Sequence, residues 1–286
     1  CICFVILALL SGYRYDVGID WANYVFLYPF SENTSGHIEF GHQLCEKLLF
    51  YFHFEDARHW LFLASVIILF MTFSGFKKLS STPLRSVLFF ILFGLYFDSL
   101  NGIRQFLAIA VFFYSWYYFL CKRYILFGLL FICGYLFHSS LVFVIPFVFL
   151  SKIQYRKKNL AAVAIVCFII GAFLGGIDIG QLGILNSRYS VYSESSLQNY
   201  STALSLLRLV FPCICVSMFI YYYDLLACTE RQRFIINMSI FYCLMVLLGP
   251  GNSMLIRISW YFEFALCILI PSFGNWEGEK LFVKEY

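Results

Sequence analysis

The chain has 286 residues, of which 62% are hydrophobic and only 13% charged. Soluble domains carry about 45–50% apolar and about 25% charged residues, so this chain has too few ionic groups to cover a water-facing surface. Its net charge of +4 is modest, and the basic residues lie between apolar segments instead of forming one patch, which leaves nucleic-acid binding little support.

Phe (35) and Tyr (21) are abundant, as expected of lipid-facing surfaces and aromatic belts at two membrane interfaces. Most of the eleven cysteines, among them Cys133, Cys167, Cys213, Cys215, Cys243 and Cys267, sit inside apolar runs, where Cys acts as a small hydrophobe. No CxxC pair occurs, so metal or redox use is not expected and no cofactor is assigned. The chain starts at Cys1 within an apolar run and reads as a fragment lacking its true N-terminus. The sequons at Asn33 and Asn199 carry no weight.

A helix needs about 20 apolar residues to cross the hydrocarbon core, with about 17 a practical minimum. Apolar runs occur near 1–11, 59–76, 84–97, 103–120, 124–137, 139–150, 159–176, 203–223, 234–249 and 257–272. They predict an all-α polytopic membrane protein with about ten transmembrane or half-membrane helices in one domain spanning 1–286. Basic clusters orient them, because Lys and Arg concentrate on the cytoplasmic side. The clusters are Lys77-Lys78 with Arg85, Lys122-Arg123, Lys152 with Arg156-Lys157-Lys158, Arg231 with Arg233, and Lys280 with Lys284. Keeping all of them inside requires an even number of crossings between neighbours.

In chain order, residues 12–58 form an extracytoplasmic loop with short amphipathic helices at the interface. The stretch from Arg85 to Lys122 gives two spans around an outer turn at Asp98-Ser99-Leu100-Asn101-Gly102. Between Arg123 and Lys152, two short or re-entrant helices meet at His138-Ser139-Ser140. Asn159 to Arg231 holds two spans around a second external loop, 177–202. Phe234 to Ile270 holds two more around Gly249-Pro250-Gly251-Asn252.

Every lysine except Lys47 falls on the inner side of this map, whereas Arg14, Arg104, Arg188, Arg208 and Arg257 lie at or near the outer face. Charges at membrane depth are costly and tend to face cavities and ligands. Arg is suited to two-point recognition of phosphate or carboxylate, so this asymmetry suggests an anionic ligand on the outside. The bland reading is snorkelling or internal pairing, such as Arg104 with Asp98 or Arg257 with Glu263. His138, at the turn between two short helices, is either a satisfied core residue or a proton acceptor active near neutral pH. A nucleophile pair of His138 with Ser139 or Ser140 lacks an orienting carboxylate in the sequence.

One ordered set of residues carries a resemblance. Arg14, Gly18-Ile19-Asp20 and Tyr24 read as R-x-x-x-G-x-D-x-x-x-Y after a span. Glu39-Phe40-Gly41 follows, then Asn101-Gly102-Ile103-Arg104-Gln105 leading into Leu107-Ala108. Phe137-His138-Ser139-Ser140 and Arg257 with Trp260-Tyr261-Phe262 complete it. The set resembles the EpsG family, which is similar to the Wzy polymerases of bacterial O-antigen, capsule and exopolysaccharide assembly. Two departures are that members usually begin with additional membrane sequence, and that the Ala common after the His-Ser pair is replaced by Ser140-Leu141.

The resemblance implies a metal-independent polymerase of GT-C-like fold in the bacterial inner membrane, its active site facing the periplasm or exterior. Its substrates would be undecaprenyl-diphosphate-linked oligosaccharides, with membrane lipid and a chain-length regulator as partners. In that reading Arg14, Arg104 and Arg257 stabilise charge on the leaving diphosphate. His138 is the first candidate for the base, with Asp20 and Glu39 as reserves. Trp21, Tyr24, Gln105 and Tyr261 line the substrate. An O-antigen ligase or other lipid-linked glycosyltransferase, a flippase or transporter, and a multi-span acyltransferase using His138 are the competing readings.

Overall fold

The structure, a computed structural model, is described for residues 2–18, 20–26, 28, 39–174, 202–249 and 253–273; at 23, 173–174, 202–208 and 253 only the backbone is described. Arg188, His37, both sequons, residues 177–201 of the second loop, Pro250-Gly251-Asn252, Lys280, Lys284 and the Arg208 side chain lie outside these. The described residues form helices and connections without strands. Chain contacts divide the protein into two compact units, residues 1–145 with the stretch from Cys267, and residues 146–266.

The first unit contains α1 (Ile2–Gly12), α2 (Trp21–Phe26), α3 (Phe40–Tyr51), α4 (Ala57–Leu79), α5 (Pro83–Leu92), α6 (Leu95–Asn101), α7 (Ile103–Leu120) and α8 (Tyr124–Phe137), followed by a 3₁₀ turn, Ser139–Val144. The helix α4 begins where the Asp56 side chain accepts the Arg58 backbone N–H, and closes on Lys77 and Lys78, where cations complement the helix dipole. Pro83 occupies the first turn of α5, where its missing N–H costs nothing. Among the described residues, four helices are long and apolar enough to cross a membrane: Ala57–Leu79, Ile103–Leu120, Glu230–Leu248 and Met254–Ser272. The pair α5–α6, bent by 58°, makes a fifth if it counts as one span.

Side-chain pairs fix how these helices run. Phe4 meets Phe73 (5.8 Å between ring centroids) and Tyr13 meets Phe62 (5.3 Å), so α1 and α4 are antiparallel. Phe76 packs on Phe113 at 5.0 Å, and one turn further Lys78 lies 4.2 Å from the Tyr117 ring centre, so α4 and α7 are parallel. Ala108 faces Gly134, Phe112 faces Phe131, and Phe119 faces Phe127, so α8 returns antiparallel to α7. The end of α1, the starts of α4 and α7 and the end of α8 therefore share one end of this unit. The Lys77-Lys78 and Lys122-Arg123 turns share the other, as the basic-cluster reasoning requires. The core between them is aromatic: Phe76, Phe90, Phe106, Phe112, Phe113 and Trp116 are fully buried.

Two expected breaks can be compared with the structure. The break at His138 is present: α8 stops at Phe137, His138 is extended (φ −157°, ψ 115°), and the 3₁₀ turn follows. The chain folds back there, since Leu141 packs against the Cα of Gly134. The turn expected at 98–102 falls at Gly102, where α6 ends at Asn101 and α7 begins at Ile103. An additional bend lies at Gly94, whose φ of +89° suits glycine. Polarity did not mark that bend, and Asp98 in the first turn of α6 is compatible with the positive end of its dipole.

The second unit holds most of α9 (Ile145–Leu150), then α10 (Lys157–Leu174), α11 (Thr202–Tyr221), α12 (Tyr223–Leu226), α13 (Glu230–Leu248) and most of α14 (Ser253–Ser272). A capping box formed by Thr229 and Gln232 starts α13. Buried Asn237 ties the turn after α9 to this helix. Its amide donates to the carbonyls of Ser151 (2.8 Å) and Ile153 (2.9 Å), while its oxygen accepts from Tyr223 (2.9 Å). Gly171 of α10 lies so close to α13 that a Cβ there would overlap the carbonyl oxygen of Leu247. Because the obstacle is backbone, Gly171→Ala is expected to push the helices apart. It should cost about 1–3 kcal/mol, as overpacking does, read as a lowered melting temperature of the detergent-purified protein against wild type.

Candidate functional site

Three residues far apart in sequence converge at the end of the first unit opposite its basic turns. Glu39 immediately precedes α3, Arg104 lies in the first turn of α7, and His138 follows the last residue of α8. Arg104 Nη1 donates to Glu39 Oε2 at 2.7 Å, and His138 Nδ1 lies 2.8 Å from Glu39 Oε1. One carboxylate thus bridges a guanidinium and an imidazole. Side-chain exposures of 19% for Glu39, 24% for His138 and 30% for Arg104 leave the cluster reachable from outside while sheltering it from bulk water.

Small residues make the convergence possible, and they explain the motifs around it. A Cβ on Gly41 would lie 2.9 Å from the carbonyl oxygen of Leu136, so the start of α3 rests directly on the backbone of α8. Glu39 is brought to His138 by that contact. A Cβ on Gly134 would lie 3.3 Å from the carbonyl oxygen of Ala108, which lets α8 approach α7 and sets His138 beside Arg104. Gly18, at φ +99°, rests on Asn101 and on the carbonyl of Leu100, joining the loop after α1 to the α6–α7 junction.

Electrostatics reinforce the arrangement. Burial by itself would raise the Glu39 pKa, but the hydrogen bond from His138 and the charges of Arg104 and His138 outweigh it and bring the carboxyl down from 4.5 to about 2. Glu39 is therefore ionised at neutral pH. With both oxygens engaged, it is suited to orienting the imidazole and poorly suited to being a base. A carboxylate facing Nδ1 favours the tautomer that carries its proton there, which leaves Nε2 as the acceptor. This supplies the orienting carboxylate for His138 that sequence inspection did not find, because Glu39 and His138 are 99 positions apart.

The other expected site residues are distributed around this centre. Tyr24 is buried, which raises the pKa of its hydroxyl, and Arg104 and Asp20 lie within electrostatic reach of it. Arg14 is 6% exposed and spends its guanidinium on backbone: on the carbonyls of Ser11 (2.6 Å), Leu100 (2.9 Å) and Val17 (3.2 Å). The Trp21 indole in turn donates to the Arg14 carbonyl at 3.2 Å. Gln105 is buried on α7. Arg257 and Tyr261 belong to the second unit, where Arg257 is half-buried and Tyr261 wholly buried. Arg104 has Glu39 as an ion-pair partner, which nearness in sequence did not suggest. Among the described residues no three His, Cys, Asp or Glu side chains converge as a metal site would require.

The model of the EpsG family matches residues 1–280. No curated protein and no solved structure matches the chain.

The depressed pKa of Glu39 has a measurable consequence. Since the folded carboxyl titrates near 2 and an ordinary one near 4.5, the unfolded state binds more protons between these values, and stability falls as pH drops through that window. At higher pH the contribution is complete and of the order of a few kcal/mol. Acid titration of thermal stability should show this loss in wild type and a smaller one in Glu39→Gln. Identical profiles would remove Glu39 from the ionised cluster.

Proposed function

We propose that this chain, which belongs to the EpsG family of Wzy-like polysaccharide polymerases, joins oligosaccharide repeats carried on undecaprenyl diphosphate at the outer leaflet of the bacterial inner membrane. Family membership and the apolar helices make it a multi-pass membrane protein of polysaccharide-polymerase type. The observation that carries the finer reading is the cluster of Glu39, Arg104 and His138 at the end of the first unit away from Lys77-Lys78 and Lys122-Arg123. By the positive-inside rule that end faces outward.

In this reading a hydroxyl at the non-reducing end of one repeat attacks the anomeric carbon of a chain held on a second lipid. A carbon–oxygen bond to the sugar forms as the bond to the diphosphate oxygen breaks. The hydroxyl proton passes to Nε2 of His138, which Glu39 holds through Nδ1, and the resulting imidazolium is stabilised by that carboxylate. Negative charge accumulating on the departing lipid diphosphate is met by Arg104, whose side chain is 30% exposed. Asp20 is proposed as a neighbouring polar group, and Tyr24, Trp21 and Gln105 as the floor on which Arg104 is set. Charge stabilisation by arginine is consistent with metal-independent catalysis. A GT-C-type fold, an accompanying chain-length regulator and export of the polymer as O-antigen, capsule or exopolysaccharide belong to the same proposal.

The test is deletion of the gene in its native strain, complemented by wild type, His138→Ala or Arg104→Ala, with membrane levels matched and surface polysaccharide resolved on gels. Wild type is expected to restore a ladder, while each variant leaves single repeats displayed and polymer reduced by at least about 100-fold, in the range typical of a lost general base or charge stabiliser. A complete ladder from either variant would remove that residue from the mechanism. Absence of surface repeats in the deletion strain would move the function to export or to an earlier step.

A further inference from the structure

The amphipathic helix α3 has its polarity reversed. Its inward stripe holds His42 (0% exposed) and Glu46 (1%), in line with Glu39 at the helix start, while Phe40, Leu44 and Leu48 face outward at 61%, 45% and 49% exposure. Positions 39, 42 and 46 follow the i, i+3, i+7 rhythm that puts side chains on one helix face. His42 Nε2 and Glu46 Oε1 are 3.2 Å apart, and the proposed reaction uses neither. Burying such a pair is rarely justified by stability alone, because desolvation offsets much of the attraction.

What surrounds the pair points to its role. The His42 ring is packed edge-on between Trp60 of α4 (4.9 Å between centroids) and Tyr24 (5.8 Å). Tyr24 in turn lies within electrostatic reach of Arg104, the guanidinium paired with Glu39. Glu46 feels the charge of Arg104 as well. A continuous line of contacts therefore runs from Glu46 through His42 and Tyr24 to Arg104, behind the cluster that faces outward. We propose that His42 and Glu46 are positioning residues: Glu46 beside Nε2 and the Trp60 ring keep the imidazole against Tyr24, and Tyr24 keeps Arg104 where it can bind Glu39 and a diphosphate together. A hydrocarbon pair of similar size would fill the space without fixing the ring orientation that Tyr24 rests on.

The inference rests on the proposed polymerase reading, and its test uses the same complemented deletion strain. His42→Leu with Glu46→Leu removes both polar groups together and so avoids leaving one of them buried without the other. That double variant is expected at wild-type membrane level with a near-normal melting temperature, yet with polymer output reduced at least about tenfold. Tyr24→Phe should cause a loss of similar size. Because all three act through one line of contacts, adding Tyr24→Phe to the double variant should cost little more, as coupled residues do in a mutant cycle. His42→Gln, which keeps a polar side chain beside Glu46, should recover most of the output.

Wild-type output from the double variant, or losses that multiply when Tyr24→Phe is added, would overturn the inference. If the double variant fails to accumulate, the cycle of His42→Gln or His42→Leu with Tyr24→Phe decides in the same way: non-additive losses support the role and multiplicative ones overturn it. The polymerase reading is judged separately by Arg104→Ala. An inactive Arg104→Ala beside a fully active pair variant overturns the positioning role alone, and a fully active Arg104→Ala overturns the mechanism beneath it.

Discussion

The carboxylate of Glu39 is shared between Arg104 and His138, and much of the first unit is arranged so that this can happen. A half-buried carboxylate tends toward protonation, and it remains ionised here because two cationic or proton-donating partners reach it. The dependence is mutual. Arg104 at the start of an otherwise apolar helix needs a counter-charge, and His138 needs an acceptor at Nδ1 to fix its tautomer. None of the three groups has a suitable environment without the other two. Gly41 and Gly134 are the structural counterpart of that dependence, since each removes a side chain where one helix must touch the backbone of another.

The reversed polarity of α3 follows from the same constraint. To deliver Glu39, the start of α3 must rest on α8, and the helix then presents its polar stripe to the protein and Phe40, Leu44 and Leu48 to the outside. In water this would bury the costly groups and expose the cheap ones. Beside hydrocarbon the outward face is the favourable one, and the inward groups gain partners. The membrane is thus part of what makes this helix stable at this place. At 12 residues α3 is too short to cross a bilayer; in the proposed reading it lies at the edge of the membrane, where a substrate with a lipid tail and a charged head would be met.

Local pattern was informative wherever the governing physics was local. Apolar runs coincide with helices, the break at His138 follows from Phe137-His138-Ser139-Ser140 interrupting an apolar stretch, and the basic turns sort correctly to one end of the first unit. The individual members of the cluster were also visible as charges in improbable places. Their pairing was not, because it depends on contacts across 65 and 99 positions, and nearness in sequence pointed Arg104 toward Asp98 instead. The bend at Gly94 was hidden for a related reason: a polar stretch signals exposure, whereas a left-handed glycine redirects the chain without any change in polarity. His42 and Glu46 looked like ordinary loop residues until α3 was seen to turn them inward.

Arg14 and Arg104 show why composition could nominate outer-face arginines but not assign their work. Both stand beside short motifs after or before a span, and both carry the same five donors. Arg14 is buried with its guanidinium directed at three backbone carbonyls, from Ser11, Val17 and Leu100, so that it stitches the end of α1 and the following loop to α6. Those bonds take three of its five donors and tie it to α1, to the following loop and to α6. Arg104 is nearly a third exposed, and its ion-pair partner Glu39 is an acid. In the proposed mechanism an arriving diphosphate would compete with Glu39 for the guanidinium, and a weakened hold on Glu39 would be felt directly at His138. Anion binding and the state of the base would thereby be coupled through one carboxylate.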